Sequence, residues 1–419
     1  MHDVTSDGSA PIVDSLLDTD FYKFLMCQVV CRHHPDVEVT FEVVSRTRSV
    51  RLAEEIREAD LCHQLDRTQS LGFTTEELDA LGRLESAPGR PLFTVDFLAT
   101  LRGLRLPSYR LATYGGQFVL TFSGPWPAVM LWEVPALAVL MELRSRAVER
   151  RMSVAERVQV RQAATERLDG KLARLARLPG LAVSDFGTRR RHSREWQEYA
   201  VLRARDALGT AFTGTSNVRL AIRHRLEPIG THAHELPMVY AALAESDAEL
   251  VASPYRVLAD WGATYEEPLR VMLPDTFGTG GFLARAPGWV ARWSGIRIDS
   301  GDPGAMADLA IGWWRRQGEN PAGKRVIFSD GLDVDDIEAL HQRYAGRVRV
   351  GFGWGTLLTN DYRGLAPADA LAPLSLVCKA VAANGRPTVK LSDNPDKVLG
   401  PDADVARYRR VFGGIEPPA

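Results

Sequence analysis

Residues 181–194 read LAVSDFGTRRRHSR, an apolar run that ends in polar residues and three consecutive arginines. A short, bounded apolar run of this kind is typical of a buried parallel strand. The arginines come where the pattern predicts a helix start, and helix N-termini attract anions. Because guanidinium groups bind phosphate through paired hydrogen bonds, the stretch predicts a strand that ends in a phosphate site. Phe186 suits a flat ring beside that anion, and a solvated basic turn is the simpler alternative.

The same pattern recurs along the second half of the chain. The further runs are FTGTSN (212–217), EPIGTHAHE (227–235), VMLPDT (271–276), GIRIDSGDP (295–303), RVIFSDGLD (325–333) and RVRVGFGWGT (347–356). Amphipathic stretches that predict helices separate most of them, such as 217–226, 303–316 and 334–344. This alternation predicts a parallel sheet whose strand ends carry the active site. An open doubly wound sheet shares that property, but so many units in one half of the chain favour a (β/α) barrel.

The bulk composition is that of an ordinary enzyme. A net charge of −2 over 419 residues gives no electrostatic case for a nucleic-acid partner. The four cysteines are too few and too scattered for a disulfide framework, which favours a cytoplasmic protein. Residues 1–10 lack the apolar core of a secretory signal. Charged residues and Pro135 interrupt the apolar stretch 126–150, so we expect a core helix and no membrane partner.

The order of these patterns predicts two domains. Alternating strands at 37–43 and 117–123 predict an N-terminal α/β sandwich, and Asn384-Gly385 is a strong hairpin signal whose strands would rejoin its sheet. We therefore assign residues 12–130 with 377–397 to the sandwich and 131–376 to the barrel. Residues 1–11 and 398–419 are expected to be tails.

Two acidic residues end one of the predicted strands. Asp299 and Asp302 lie three residues apart in IDSGDP. Such a pair can hold Mg²⁺ together with substrate phosphates, or it can bind the hydroxyls of a ribose. The structural alternative is that Asp302-Pro303 caps the following helix, and both roles can hold at once.

Glycine-rich loops end the next two strands. Asp330-Gly331 follows one run, and Gly353 and Thr356 follow the other. Glycines let backbone N–H groups approach a phosphate closely, so the pair of loops resembles the phosphate site that barrels build from their last βα loops. Taken singly, each loop is equally consistent with an ordinary glycine turn.

Two histidines, His232 and His234, lie at another strand end. No Cys or third His stands in a comparable loop, which disfavours zinc. One of them is a candidate acid, base or nucleophile, oriented by a carboxylate such as Glu235. Two hydrogen-bonded loop histidines are the structural alternative. Cys27 and Cys31, one helical turn apart, are expected to be core residues.

Nine segments of the chain match a known family. They are SLLDTDFYKFLM, SGPWPAVMLWEVPALAV, DFGTRRRHSRE, GTSNVRLA, PIGTHAHE, IRIDSGDP, VIFSDGLD, GFGWGT and NGRPTVKLSDNPDK. Together they resemble bacterial nicotinate phosphoribosyltransferase over nearly all of residues 12–397. The resemblance implies the type II phosphoribosyltransferase fold, an N-terminal α/β sandwich plus an irregular (β/α) barrel. It also implies that nicotinate and phosphoribosyl pyrophosphate give nicotinate mononucleotide and pyrophosphate, with ATP hydrolysis coupled to this first step of NAD salvage.

The resemblance also implies roles for single residues. His234 corresponds to the histidine that ATP phosphorylates, and Phe186 and Tyr22 to the two walls of the pyridine slot. The other implied contacts are to pyrophosphate (Arg189), to nicotinate (Ser216 and Arg297), to ribose and Mg²⁺ (Asp299 and Asp302) and to the remaining substrate phosphate (Asp330, Gly331, Gly353 and Thr356). Because that tyrosine can come from a partner subunit in this family, the resemblance implies a homodimer with shared active sites.

Three positions depart from the family's pattern. His232 stands where many bacterial members carry Gln, Leu236 where many carry a bulky aromatic residue, and Trp354 where a smaller residue is usual. The nearest rival is a nicotinamide-specific enzyme of the same superfamily, which tends to have an Asp in place of Ser216. Quinolinate phosphoribosyltransferase, a non-catalytic homologue and a phosphosugar aldolase or isomerase match the residues less well.

Overall fold

The computed structural model describes residues 10–413, and most of its strands belong to two sheets. The strands are β1 Glu38–Ser45, β2 Glu85–Ala87, β3 Arg90–Pro91, β4 Tyr109–Tyr114, β5 Gln117–Pro125, β6 Val183–Asp185, β7 Phe212–Thr215, β8 Val271–Met272, β9 Gly295–Ile298, β10 Arg325–Phe328, β11 Arg349–Trp354, β12 Leu376–Ala383 and β13 Arg386–Pro387. The helices are α1 Phe21–His33, α2 Leu52–Glu55, α3 Glu58–Gln69, α4 Thr75–Gly82, α5 Val95–Gly103, α6 Trp126–Val129, α7 Glu133–Glu149, α8 Val154–Leu175, α9 Arg194–Leu208, α10 Val218–His224, α11 Glu235–Ala242, α12 Asp247–Thr264, α13 Thr279–Arg285, α14 Pro303–Arg316, α15 Val334–Tyr344, α16 Thr356–Thr359 and α17 Asp402–Phe412.

The second half of the chain forms a parallel sheet with the strand order β7-β6-β11-β10-β9-β8. The last strand in sequence, β11, pairs with the first, β6, so the sheet curls back on itself as a barrel does. The run 227–235 adds only a single bridge, between Pro228 and Thr215, which makes the barrel irregular. The predicted irregular (β/α) barrel is confirmed, and its buried strands end in the polar loops that the sequence pattern indicated.

The N-terminal half is built on an antiparallel sheet with the order β13-β12-β1-β5-β4. Strand β12, from the far end of the chain, lies directly against β1, with Val39 opposite Ala383. Asn384 and Gly385 both adopt positive φ, of 46° and 75°, as a tight two-residue hairpin turn requires. The hairpin therefore rejoins the N-terminal sheet as its sequence predicts. The chain after it crosses to the barrel, where the N–H of Leu391 donates to the carbonyl of Thr276.

The apolar stretch 126–149 is a core helix. Among residues 10–413 it is the one helical stretch long and apolar enough to cross a membrane, with a mean hydropathy of 1.4. However, 89% of its most apolar window is buried inside the protein. It packs between α3, β12 and the 3₁₀ turn Thr188–Arg190. Burial of its charged side chains in ion pairs, such as Glu142 with Arg146, fits this interior position.

The prediction of a C-terminal tail was wrong for most of 398–413. Helix α17 packs its apolar face on the barrel, and the ring of Phe412 stacks on that of Phe277 with centroids 4.4 Å apart. Val405, Tyr408 and Phe412 recur at helical spacing, a signal that the polar composition of the stretch concealed. Residues 1–9 and 414–419, also assigned to tails, lie outside the described residues.

A buried ion pair ties the N-terminal loop to the barrel. The two terminal nitrogens of the Arg191 guanidinium, Nη1 and Nη2, donate to the Asp18 carboxylate at 2.6 and 2.7 Å, and neither side chain is more than 2% exposed. Burial opposes ionisation of Asp18, but the attraction of Arg191 outweighs it and lowers the pKa of Asp18. Arg191 is therefore a structural residue and not part of a phosphate site.

Arg191→Met is expected to lower the free energy of unfolding by about 3–5 kcal/mol, because it leaves Asp18 buried without its partner. The matched control is Arg407→Met, which removes an arginine from the exposed pair with Asp247 and should cost less than about 1 kcal/mol. Urea unfolding followed by circular dichroism measures both variants. If both variants lose the same free energy of unfolding, the burial of the Arg191–Asp18 pair contributes nothing to stability.

Candidate active site

A cavity of about 320 Å³ lies at the carboxyl ends of the barrel strands and meets β1 and β12 on its other side. Eight cationic side chains line it: Arg46, Arg189, Arg190, Arg297, Arg363, Lys379, Lys390 and Lys397. Five carboxylates also line it: Asp20, Glu133, Glu235, Asp299 and Asp330. This excess of cationic groups suits a ligand that carries several negative charges.

Two aromatic side chains, Phe186 and Tyr22, line the cavity together, as the sequence predicts. The N–H of Phe186 donates to the carbonyl of Trp354 at 2.9 Å, which fixes the loop after β6 against β11. A Cβ atom at Gly353 would overlap the Phe186 ring, so this glycine makes room for the ring. Gly353 does not itself line the cavity, and its predicted phosphate contact stays a prediction.

Tyr22 lines the cavity of its own chain. Helix α1 begins at Phe21 and packs against the barrel, where the N–H of Phe21 donates to the carbonyl of Ser216 at 2.6 Å. The Tyr22 side chain is 7% exposed, and the guanidinium of Arg189 lies 5.7 Å from its ring centroid. The N-terminal segment thus folds back over its own barrel, and a contribution of Tyr22 to a partner's site stays a prediction.

The three arginines after Phe186 divide between two environments. Thr188–Arg190 is a 3₁₀ turn and not the start of the next helix, so Arg189 and Arg190 point to the cavity while Arg191 is buried with Asp18. Arg189 Nη1 donates to Glu133 Oε1 at 3.1 Å, and its Nε lies 3.4 Å from Asp20 Oδ2. Burial, with a smaller effect of the neighbouring Arg189, lowers the pKa of Arg190 to about 10.

His234 lies directly before α11. Four polar side chains surround it: Thr276, Lys390, Asp299 and Asp275. Its Nδ1 is 2.9 Å from Thr276 Oγ1, and its Nε2 is 3.0 Å from both Lys390 Nζ and Asp299 Oδ2. Burial lowers the pKa of His234 to about 4; Asp275 opposes this shift and Lys390 adds to it. The ring is therefore neutral near pH 7. The Lys390 ammonium can only donate to Nε2 and the Asp299 carboxylate can only accept from it, so the two contacts favour opposite tautomers of the neutral ring.

Glu235 does not orient His234, contrary to the prediction. Its Oε2 accepts from Lys23 Nζ at 2.5 Å and its Oε1 from Trp126 Nε1 at 2.7 Å. Thr276 and Asp299 take the orienting place instead. No sequence pattern indicated this, because Thr276 follows a different strand, β8.

The acidic residues near His234 are Asp299 and Asp275, and not Asp302. One ligand atom from each of His234, Asp275 and Asp299 lies within 4.8 Å of the others. Asp302 is exposed, and its Oδ1 accepts from the N–H of Ala305 at 2.6 Å. Asp302 is thus the N-cap of α14, as the structural alternative stated, and it does not line the cavity.

Arg297 and Ser216, the predicted nicotinate contacts, both line the cavity. Arg297 Nη1 donates to Thr231 Oγ1 at 2.9 Å, and within residues 10–413 its buried Nε has no hydrogen-bond partner. Ser216 Oγ donates to Asp20 Oδ1 at 2.7 Å. The cavity therefore offers a guanidinium N–H to a ligand on this side.

The loops after β10 and β11 supply the predicted Asp330, Gly331 and Thr356. Gly331 has a φ of 63°, which a residue with a side chain adopts only with strain. Asp330 Oδ1 is paired with Lys397 Nζ at 2.7 Å. These loops leave backbone groups and a hydroxyl facing the cavity, as an anion site requires.

The three departures from the family's pattern lie behind the cavity wall. The Trp354 and Leu236 side chains are fully buried, and neither lines the cavity. His232 lies on the opposite side of its loop from His234, against the ring of Trp261 at 5.3 Å. Burial lowers the pKa of His232 to about 3, so this ring is neutral as well.

The sequence patterns did not indicate the three cavity lysines or the two acidic partners of Arg189, which are Glu133 and Asp20. Lys379 lies on β12, and Lys390 and Lys397 lie on the segment that crosses from the hairpin to the barrel. Burial lowers the pKa of Lys379 to about 8, against the attraction of Glu133. The segment NGRPTVKLSDNPDK belonged to the resemblance, but nothing in its hairpin pattern indicated that it returns to the strand ends.

Known proteins share both this sequence pattern and this architecture. Residues 181–415 match the sequence model of the Nicotinate phosphoribosyltransferase (NAPRTase) family, and residues 17–141 match the NAPRTase N-terminal domain. The chain belongs to the nicotinate phosphoribosyltransferase family. It is similar to the crystal structure of nicotinate phosphoribosyltransferase from Vibrio cholerae, with a TM-score of 0.84 and 29% identity over 97% of this chain and 95% of that one.

A second solved structure gives the same result. The nicotinate phosphoribosyltransferase from Porphyromonas gingivalis matches with a TM-score of 0.83 and 28% identity, over 96% of this chain and 100% of that one. The chain is therefore an enzyme of this family with the type II phosphoribosyltransferase fold, as the resemblance predicted.

Lys390→Met is expected to raise the pKa of His234 by about one unit or more, because it removes a cation and leaves the carboxylates. In the unchanged protein the folded pKa of about 4 lies below the ordinary 6.5, so the fold loses stability as the pH falls between these values. Histidine ¹⁵N chemical shifts recorded against pH measure the titration. Lys397→Met, which removes a cation from the same cavity without contacting His234, should shift the pKa less. A lower or unchanged value in Lys390→Met would contradict the assignment.

Proposed function

We propose that this enzyme transfers the phosphoribosyl group of phosphoribosyl pyrophosphate to nicotinate and couples the transfer to ATP hydrolysis through His234. The balanced reaction converts nicotinate, phosphoribosyl pyrophosphate, ATP and water to nicotinate mononucleotide, pyrophosphate, ADP and phosphate. One observation carries the proposal: a neutral His234 opens onto a cavity that holds two aromatic side chains and an excess of cationic ones. Family membership supports the two organic substrates.

In the transfer step the pyridine nitrogen of nicotinate bonds to C1 of the ribose as the C1–O bond to pyrophosphate breaks. Positive charge develops on the ribose and negative charge on the leaving pyrophosphate. The enzyme's task is to align the two reactants and neutralise the departing anion. Phe186 and Tyr22 hold the flat ring, while Arg189 and Arg190 face the pyrophosphate.

The acceptor's carboxylate is bound by Arg297, whose buried Nε has no hydrogen-bond partner among the described residues and lies 4.0 Å from Asp299 Oδ1. Asp20 is the carboxylate beside Ser216 and would suit an amide instead. However, its Oδ1 accepts from Ser216 and its Oδ2 lies 3.4 Å from Arg189, so donors of this chain already face both oxygens. This arrangement favours nicotinate over nicotinamide.

Mg²⁺ fits the donor set around Asp299. That carboxylate is partly exposed in the cavity, and the neighbouring Asp275 has a buried Oδ1 without a hydrogen-bond partner among the described residues. We propose that Asp299, with Asp275 beside it, holds the ion together with substrate phosphates, and that Asp302 takes no part. The ion supplies positive charge to the pyrophosphate oxygens.

In the coupling step His234 Nε2 bonds to the γ-phosphorus of ATP as the bond to the ADP oxygen breaks. Water later attacks that phosphorus, breaks the N–P bond and releases phosphate. The reacting tautomer is the one that Lys390 favours: Nδ1 carries the proton and donates to Thr276, and Nε2 carries the lone pair. Lys390 is placed to neutralise the incoming phosphoryl group, since its ammonium lies 3.0 Å from Nε2.

The resemblance also implies a cytoplasmic homodimer, and both stay predictions. Within one chain Tyr22 already lines the cavity together with Phe186 and Phe41, so a shared site is not needed to bring these rings together. Sedimentation equilibrium of the purified protein would decide the oligomeric state.

Arg297→Ala is expected to raise the KM for nicotinate at least tenfold, because a carboxylate in a buried site loses its cationic partner. The KM for phosphoribosyl pyrophosphate should change much less. Steady-state assays with nicotinate and nicotinamide offered in parallel measure both constants and the preference for the acid. Equal turnover of the amide by the unchanged protein would contradict the proposed acceptor.

His234→Ala is expected to abolish ATP hydrolysis and ATP stimulation while slow transfer without ATP persists. Incorporation of acid-labile phosphate from labelled ATP measures the phosphorylation directly. His232→Gln is the matched control: it changes the histidine two residues away that faces the opposite side of the loop, and its effect should be mild. Labelled phosphate on the His234→Ala protein would overturn the assignment and point to His232.

A further inference from the structure

A continuous chain of ionic contacts joins the residue after His234 to Arg189. Glu235 Oε2 accepts from Lys23 Nζ at 2.5 Å, and the same ammonium donates to Glu133 Oε2 at 2.6 Å. Glu133 Oε1 then accepts from Arg189 at 3.1 Å. This series of ionic contacts continues from Arg189 to Asp20 Oδ2, and Asp20 Oδ1 accepts from Ser216.

We propose that Glu133 is a positioning residue that couples the state of His234 to the grip of Arg189 on the pyrophosphate group; this rests on the proposed function. Glu235 follows His234 at the first turn of α11 and both residues line the cavity, so a phosphoryl group on His234 adds negative charge at the helix start that carries the Glu235 carboxylate. Lys23 is shared by two carboxylates, so a change at Glu235 alters how strongly it holds Glu133. Glu133 in turn is one of two acidic partners of Arg189.

Because these groups are buried, the series of contacts from Glu235 to Arg189 is suited to transmit a change in charge at His234. Lys23 is fully buried, and the side chains of Glu133 and Glu235 are 5% exposed, so water screens their interactions little. Burial would raise the pKa of Glu133, but Lys23 and Arg189 outweigh it and bring the value to about 2. Burial, opposed by Lys23, raises the pKa of Glu235. Lys23 is thus shared by one carboxylate that ionises more readily than usual, Glu133, and one that ionises less readily, Glu235.

The geometry also explains why Glu133 lies on a different element from either end. It is the first residue of α7, the buried core helix, whereas Lys23 lies on α1 and Arg189 on the turn after β6. Three elements that form separate walls of the cavity therefore meet through one carboxylate. Arg189, at the end of this series of contacts, is 36% exposed in the cavity and not buried like the other members. A purely structural ion pair does not require a partner that faces the cavity.

The test is Glu133→Gln, which keeps the shape of the side chain and removes its charge. The readout is the ratio of the transfer rate with ATP to the rate without it, at phosphoribosyl pyrophosphate concentrations below KM. We expect the ratio to fall at least tenfold while His234 still takes up acid-labile phosphate from labelled ATP. ATP would then be hydrolysed without assisting transfer.

Glu142→Gln is the matched control, because Glu142 lies on the same helix, is equally buried at 4%, and pairs with Arg146 away from the cavity. It should keep the ratio of the unchanged protein. An unchanged ratio in Glu133→Gln, or an equal fall in both variants, would overturn the coupling role. Absence of phosphorylation in the unchanged protein would instead overturn the proposed function, so the two failures are distinguishable.

Discussion

The burial of one ammonium group, that of Lys23, constrains the whole cavity. A buried ammonium without partners is costly, so Glu133 and Glu235 must both come to it, and with them the starts of α7 and α11. Each member of this triad has a cavity residue next to it. Tyr22 precedes Lys23, His234 precedes Glu235, and Arg189 donates to Glu133. The triad thereby sets the relative positions of an aromatic wall, a nucleophile and an anion-binding group that come from distant parts of the chain.

The secondary structure of the barrel was predictable because local signals agreed there. Helix α14 spans Pro303–Arg316 as predicted, since Asp302 and Pro303 give a cap and a first turn at the point where the amphipathic pattern begins. Strands β6 to β11 were predicted from short apolar runs with polar ends. Helix α17 was missed because three apolar residues in a polar stretch carry a weak signal until Phe277 gives them a partner.

The rule that polar residues gather at the ends of parallel strands predicted part of the site, but it did not predict all of it. Arg189, Phe186, Arg297, Asp299 and Thr356 all end strands or follow them, and parallel strands bring such ends together. Contacts between distant parts of the chain were not predicted: Gly353 makes room for the Phe186 ring, and Arg191 pairs with Asp18. The lysines Lys379 and Lys390 were missed because they arrive from the antiparallel sheet, on a segment with no strand-end pattern of its own.

The position of β12 has a consequence for how the protein is made. Strand β1 ends at Ser45, but its neighbour begins at Leu376, so the first sheet is incomplete until nearly the whole chain has left the ribosome. Until then one edge of β1 has no strand beside it, and exposed strand edges invite pairing with other chains. Synthesis of this enzyme therefore includes a period of aggregation risk, and truncation before residue 376 leaves β1 as an exposed edge strand.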